Sequence, residues 1–227
     1  MKYLCFILFF NATLLVTNSF ASTPKFTAKN VPKNMSVAVQ KERFYYLVVP
    51  AVKRVHTELT ALHNIVEKDL ESGANMVRIE KLKSIYRVKS DRALLLALKP
   101  HPQSIALAQA AMESAWATSR FFIEAKNLFG VWSTNKDQAR IAADEKRNTT
   151  KTIWLRKFES IEDSVREYYR MMGRGRAYQG FREVRYETDD VHAIVKELHR
   201  YSEIGEKYAE ELSSMIEYNK LTKYDKQ

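Results

Sequence analysis

AQAAMESAWATSRFFIEAKNLFG, residues 108–130, sets the carboxylate of Glu113 among small and aromatic side chains in an alanine-rich run. Alanine is the strongest helix former, so the run reads as one helix. It begins near Pro102, a residue tolerated in a first turn because the N–H it lacks would have no helical partner there. Residues three and four apart share a helix face. Gln109, Glu113 and Trp116 or Ala117 therefore line one stripe, and Ile105, Ala108 and Met112 a neighbouring, more apolar one. Glu113 stands at the border between core and surface, with Ala110, Ala111 and Ala115 small enough to let another group approach. Desolvation at such a border raises a carboxyl pKa, which is what a general acid needs. The same pattern fits an ordinary solvated glutamate, and spacing alone does not separate the two.

The rest of the chain bounds what that acid serves. Its 227 residues are 45% hydrophobic and 28% charged, a balance that supports one main globular domain with an extension. MKYLCFILFFNATLLVTNSFAS opens it with Lys2, an apolar stretch from Tyr3 to Val16, and a small-residue exit at Ser19, Phe20 and Ala21. This reads as a cleavable signal peptide over residues 1–21, its apolar run shorter than the roughly 20 residues that span a bilayer. The mature protein is then expected in the periplasm or outside the cell. Cys5, the only cysteine, lies in that segment, which leaves the mature chain without a disulfide or a thiol nucleophile.

Net charge is +10, which favours polyanionic partners. Export, and the lack of zinc spacing or an RNA-binding aromatic motif, argue against nucleic acid. Anionic wall polymers or a membrane surface fit the compartment, and so does a surface that is basic only for solubility. Ser114 and Ser119 have no His and Asp arrangement for a serine hydrolase. His56, His63, His101, His192 and His199 have no joint ligand spacing, so no metal and no cofactor are expected.

Residues 22–38 are polar, hold two prolines and lack periodicity, and read as a disordered lead-in. From 39 to about 71, apolar residues recur at helical spacing (Phe44, Leu47, Val48, Ala51, Val52, Val55, Leu59, Leu62, Ile65), with Pro50 placed to kink or divide the stretch. Helices over about 75–86 and in DRALLLALKP complete an N-terminal extension, 39–99. A second unit, 100–222, holds the Glu113 run and then a polar segment, 132–158, whose KTIWLRKF suggests a loop or small β-hairpin. SIEDSVREYYRMM opens as a capping-box helix at Ser160 and Asp163, and DDVHAIVKELHRY and GEKYAEELSSMIEYNKL follow as helices. The fold class is mainly α, with no internal repeat and no alternating pattern of a doubly wound sheet.

SIALAQAAMESAWATSRFFIEAKNLFGVW, with FESIEDSVREYYRMM, AYQGFR and HRYSEIGEKYAEELSSMIEYNKL after it, closely resembles the signature of glycoside hydrolase family 73, the peptidoglycan N-acetylglucosaminidases, and within it the Bax-type proteins. The resemblance runs from about Phe44 to Leu221. It implies a lysozyme-like helical domain with a small β-hairpin lobe, an N-terminal helical extension, and a groove for peptidoglycan glycan strands. Glu113 matches the family's general acid, which protonates the leaving oxygen of the β-1,4 bond between N-acetylglucosamine and N-acetylmuramic acid. A second carboxylate is expected on the β-lobe, where Asp137, Asp144 and Glu145 stand. Glu145 is the first choice, although ARIAADEKR replaces the expected glycine-valine-proline turn. The substrate's own 2-acetamido oxygen is the alternative. Tyr201 matches the tyrosine of the family's C-terminal motif; it either orients that acetamido group or packs between helices.

Gln109, Trp116, Asn127, Phe129, Trp132 and Trp154 are the expected substrate-binding residues. The tryptophan faces suit sugar rings, and equally suit a core. Asn127 to Gly130 also reads as a structural turn, with Gly130 free to adopt a positive φ. Ala117 stands where a glycine often follows the tryptophan, and Lys126 where the family has the first asparagine of Asn-Asn-Leu-Phe-Gly. The chain is expected to act as a monomer. A non-catalytic glycan-binding or scaffold protein and a lytic transglycosylase remain competing readings, because a fold does not dictate a chemistry. The N-terminal helices read equally as a packing layer, a partner-binding arm or a lid.

Overall fold

A computed structural model describes residues 24–143 and 152–226. The expected signal peptide, and the carboxylates Asp144 and Glu145, lie outside the described residues. Within them the chain is mainly α-helical, with one two-stranded antiparallel sheet.

Before the first helix the lead-in has no helix or strand, yet it is tied down. The fully buried guanidinium of Arg43 donates to the carbonyls of Thr27 at 2.9 Å and Ala28 at 3.0 Å, and Phe26 meets the Tyr46 ring edge-on. Helix α1 (Val37–Ser72) starts at Ser36, whose hydroxyl accepts from the Val39 N–H, and stops at Gly73, whose φ of 69° few side chains tolerate. Pro50 does not divide it. Pro50 is exposed, as is Tyr46 one turn earlier, so the Tyr46 carbonyl that proline cannot bond is left to water.

Helices α2 (Met76–Tyr86) and α3 (Asp91–Leu98) pack Ile79, Leu94 and Leu98 against Val66 near the end of α1, forming a small core of their own. The larger core is built around α4 (Gln103–Glu113), nine of whose eleven residues are buried. Phe44, Val48, Val52 and Val55 of α1 meet Ile105 and Leu107 of α4 and Tyr168 and Met172 of α6 (Ile161–Arg174) in that core. The first half of α1 is thus part of the main core, which answers in favour of a packing layer.

The single helix expected across residues 108–130 is broken. Helix α4 ends at Glu113, and α5 (Arg120–Ala125) begins after a turn in which Ala115, Trp116 and Ala117 have φ of 49°, 59° and 61°. Each left-handed non-glycine residue costs about 1–2 kcal/mol, so the surroundings must over-determine the turn. The Ser114 hydroxyl donates back to the Ala110 carbonyl and accepts from the Ala117 N–H at 2.8 Å, competing with the helical pattern. Arg43 donates to the Ala117 carbonyl at 2.7 Å, and Phe44 and Tyr45 take the Trp116 ring edge-on. Trp116 and Ala117 therefore leave the Glu113 stripe.

Strands β1 (Arg140–Ala142) and β2 (Trp154–Arg156) pair antiparallel, with Arg140 opposite Arg156 and Ala142 opposite Trp154. Buried Glu167 of α6 holds this hairpin to the helices through Arg156 at 2.9 Å, and also binds Arg170 and Arg174. Helix α6 is capped by Ser160 as its spacing predicts, the hydroxyl accepting from the Asp163 N–H and donating to its carboxylate. Helix α7 (Gln179–Glu187) was not legible in the sequence. Its buried residues are Phe181 and Arg185, the latter donating to the Leu96 carbonyl, so tertiary contacts rather than periodicity hold it. Helices α8 (Val191–Lys196) and α9 (Glu206–Tyr218), each followed by a 3-10 turn, close the fold.

Candidate active site

Glu113 is the last residue of α4, so the helix that fills the core also presents the acid at its end. Tyr208 of α9 donates its hydroxyl to Glu113 Oε1 at 3.1 Å and accepts from Gln109 Nε2 at 3.0 Å. Gln109, one turn before Glu113, accepts at Oε1 from the hydroxyl of Tyr168, which lies 2.9 Å from His101 Nε2. Gln109, Tyr168 and His101 are fully buried. Tyr201 stacks on Tyr208 with centroids 5.3 Å apart, and Tyr178 tilts against Tyr201 at 6.0 Å.

The Glu113 side chain reaches solvent, yet protein crowds it closely enough that desolvation raises its carboxyl above the ordinary value; the Tyr208 bond pulls the other way. Its position at the carbonyl end of α4, which carries partial negative charge, also disfavours ionisation. Burial first, and the nearby Glu113 charge after it, push the phenols of Tyr178 and Tyr208 up. Tyr201 is also pushed well up, by burial, then Tyr208, then Glu113. All three remain hydroxyl donors at neutral pH. A protonatable, solvent-reachable carboxyl held by one phenol and walled by two more is suited to giving a proton to a neutral leaving group.

The family model described as mannosyl-glycoprotein endo-beta-N-acetylglucosaminidase matches residues 95–221, more than half of the chain, taking in both Glu113 and Tyr208. The chain belongs to the glucosaminidase family. The chain is 25% identical to protein bax of Escherichia coli K12, over 79% of its own length and 70% of that protein's. Its fold is similar to the catalytic domain of the autolysin Auto from Listeria monocytogenes, with a TM-score of 0.53 and 17% identity over 84% of this chain and 90% of that one. It is also similar in fold to an N-acetylmuramoyl-L-alanine amidase from Staphylococcus aureus, with a TM-score of 0.52 and 15% identity over 86% of this chain and 48% of that one.

Of the residues the sequence singled out, Glu113, Gln109 and Tyr201 come together. Gln109 does so as a buried link with both ends of its amide engaged, not as a surface for sugar. Asn127 is likewise buried: its amide donates to the Val131 and Arg156 carbonyls and its oxygen accepts from the Val131 N–H, closing the turn that leads to the hairpin. Phe129 is buried face-on against Tyr168, 3.9 Å between centroids. Trp116 is half-buried beside Lys41, whose ammonium lies 4.9 Å from its ring. Trp154 lies half-buried under the Arg140 guanidinium at 4.3 Å, whereas Trp132 is 65% exposed. Asp137 is exposed on the turn before β1.

The residues that sequence reasoning missed are Tyr208, Tyr178, Tyr168 and His101. Tyr208 shares its helix face with buried Leu212 and Ile216, so it looks like any core aromatic. Its place in GEKYAEEL, within the family-like block, was the one available signal. A cavity of about 660 Å³ opens elsewhere, lined by His56, His63, Gln103 and Asp225 near the start of α4. It lies at the opposite end of that helix from Glu113.

Proposed function

We propose that this chain is an exported peptidoglycan hydrolase, an endo-β-N-acetylglucosaminidase that cleaves the β-1,4 bond between N-acetylglucosamine and N-acetylmuramic acid with Glu113 as general acid. One observation carries the reading: a solvent-reachable carboxyl, raised by desolvation, with one oxygen pinned by Tyr208. The acid protonates the glycosidic oxygen as the bond to the anomeric carbon breaks. Positive charge then develops on the sugar and needs a second group, for which Glu145 is the first candidate, followed by Asp144, Asp137 and the substrate's own acetamido oxygen. Tyr201, stacked on Tyr208, is the group assigned to orient that acetamido group, and Trp132 and Trp154 are the rings assigned to sugar stacking. The net charge of +10 suits an anionic wall, where the protein acts as a monomer in the periplasm or outside the cell.

Mass spectrometry of fragments that the purified chain releases from peptidoglycan tests this, with Glu113→Gln in parallel. Reducing N-acetylglucosamine ends are expected, their release falling at least about a hundred-fold in the variant. Anhydro-muramic ends would instead make the chain a lytic transglycosylase. Binding without release by either protein would make it a glycan-binding module.

A further inference from the structure

We propose that His101, Tyr168, Gln109 and Tyr208 form a hydrogen-bond chain of fixed direction, running out of the core, that keeps Glu113 Oε1 an acceptor and so assigns the acid proton to Oε2. This rests on the reading of Glu113 as the acid and names the positioning residues behind it.

The direction follows from counting hydrogens. An amide oxygen only accepts and an amide nitrogen only donates. Gln109 Oε1 faces the Tyr168 hydroxyl, so the single Tyr168 hydrogen is committed there. The Tyr168 oxygen must then accept from His101, which requires the Nε2–H tautomer. At the other end Gln109 Nε2 donates to Tyr208, whose own hydrogen is left for Glu113 Oε1. No described residue forms a hydrogen bond to Oε2. An oxygen that is already accepting a hydrogen inside the protein is the wrong one to carry a proton outward, whereas Oε2 is free to present it to a substrate.

The same four side chains admit one alternative, with every bond reversed. A flipped Gln109 would donate to Tyr168, Tyr168 to His101, and Tyr208 to Gln109, leaving Glu113 to donate its own proton inward at Oε1. That arrangement needs the Nδ1–H tautomer of His101. His101 Nδ1 is buried and has no hydrogen-bond partner. A stranded N–H is the rarer and costlier orphan, about 1–3 kcal/mol, than a bare nitrogen lone pair. The packing holds the imidazole in place: it stacks on Tyr169 at 4.4 Å and meets Phe181 and Tyr168 edge-on. Burial, the Arg185 charge of α7 and His56 of α1 all keep it neutral. A buried chain polarised in one direction strengthens each of its bonds, so a change at Tyr168 reaches Glu113 through two intermediaries.

Nitrogen-15 NMR of the histidine rings in the intact chain reads the direction itself: His101 is expected as the Nε2–H tautomer, and an Nδ1–H signal overturns the proposal. The second measurement is the titration of Glu113 by carbon-13 NMR, its signal assigned as the one lost in Glu113→Gln. The groups facing Glu113 are Tyr208 from α9, Tyr178 from the 3-10 turn Arg176–Tyr178 before α7, and Tyr201 just after the 3-10 turn Glu197–Arg200 that follows α8. Tyr208→Phe removes the donor to the ionised carboxyl, and its titration moves up by roughly half a unit or more. In the reversed arrangement the same variant removes an acceptor of the Glu113 proton, and the titration moves down. A downward or absent shift overturns the proposed direction. If the upward shift appears while Glu113→Gln still cleaves peptidoglycan, the chain stands and the acid assignment falls.

Discussion

Glu113 is folded into a place that disfavours its own charge, and its ionisation is therefore linked to stability. Its folded carboxyl titrates above the ordinary range. In the window between the unfolded and folded values the native state holds a proton that the unfolded chain has released, so stability falls as pH rises through that window. The amide introduced by Glu113→Gln does not titrate and keeps an oxygen for Tyr208. Thermal melts are expected to show Glu113→Gln close to wild type near pH ~4 and more stable than wild type near pH ~7. Equal midpoints at both pH values would mean that the ionised acid carries no penalty. The neighbouring turn gives a second residue-scale expectation. Ala115 is exposed at φ 49°, so Ala115→Gly relieves left-handed strain with no loss of burial and stabilises by up to about 1 kcal/mol in denaturant titration. Glu113 could be singled out as the candidate acid because its motif is local. Tyr208 could not, because a hydroxyl on an apolar helix face looks the same whether it is functional or merely packed.

At the level of elements, α1, α2, α3 and α6 follow their periodicity and caps, and they could be drawn from the sequence to within a few residues. The break after Glu113 could not. SAWATS is compatible with continued helix, and it turns because Arg43, 74 residues earlier, binds the Ala117 carbonyl. Close approach between elements is equally invisible in sequence. Gly173 of α6 lies so near α3 that an added Cβ would stand 2.6 Å from the Ala97 carbonyl and 2.9 Å from the Tyr86 ring. Gly173→Ala is expected to destabilise by about 1–3 kcal/mol, read from the denaturant midpoint. A neutral result would show that α3 and α6 are free to part. Pro50→Ala runs the opposite way: it restores the bond to the Tyr46 carbonyl at an exposed site and raises the midpoint by the equivalent of about 1 kcal/mol or more.

For the whole molecule, the stretch matched by the family model, 95–221, leaves out part of the main core. Phe44, Val48, Val52 and Val55 of α1 are fully buried in the same core as α4 and α6. Burying each is worth about 1.5–3 kcal/mol, so together they rival the roughly 5–15 kcal/mol that holds a domain folded. A fragment beginning at residue 95 is expected to lack a cooperative melt and to expose the apolar face of α4, whereas the chain from residue 24 unfolds in one transition. A sharp melt from the short fragment would make α1 an accessory. The periodicity of residues 39–71 predicted the helix but could not say which partner its apolar face would meet.

The sequence by itself determined α1, α2, α3 and α6, the Ser160 cap, the place of the hairpin and Glu113 as the candidate acid. These depend on residues within a turn or two of one another, where propensity and spacing act directly. Only the tertiary structure decided that α4 stops at the acid and that Tyr208, Gln109, Tyr168 and His101 line up behind it. Those partners stand 95, 99, 59 and 67 residues apart along the chain in successive bonds. A hydrogen bond depends on distance and angle between groups that packing brings together, and no local pattern encodes that packing.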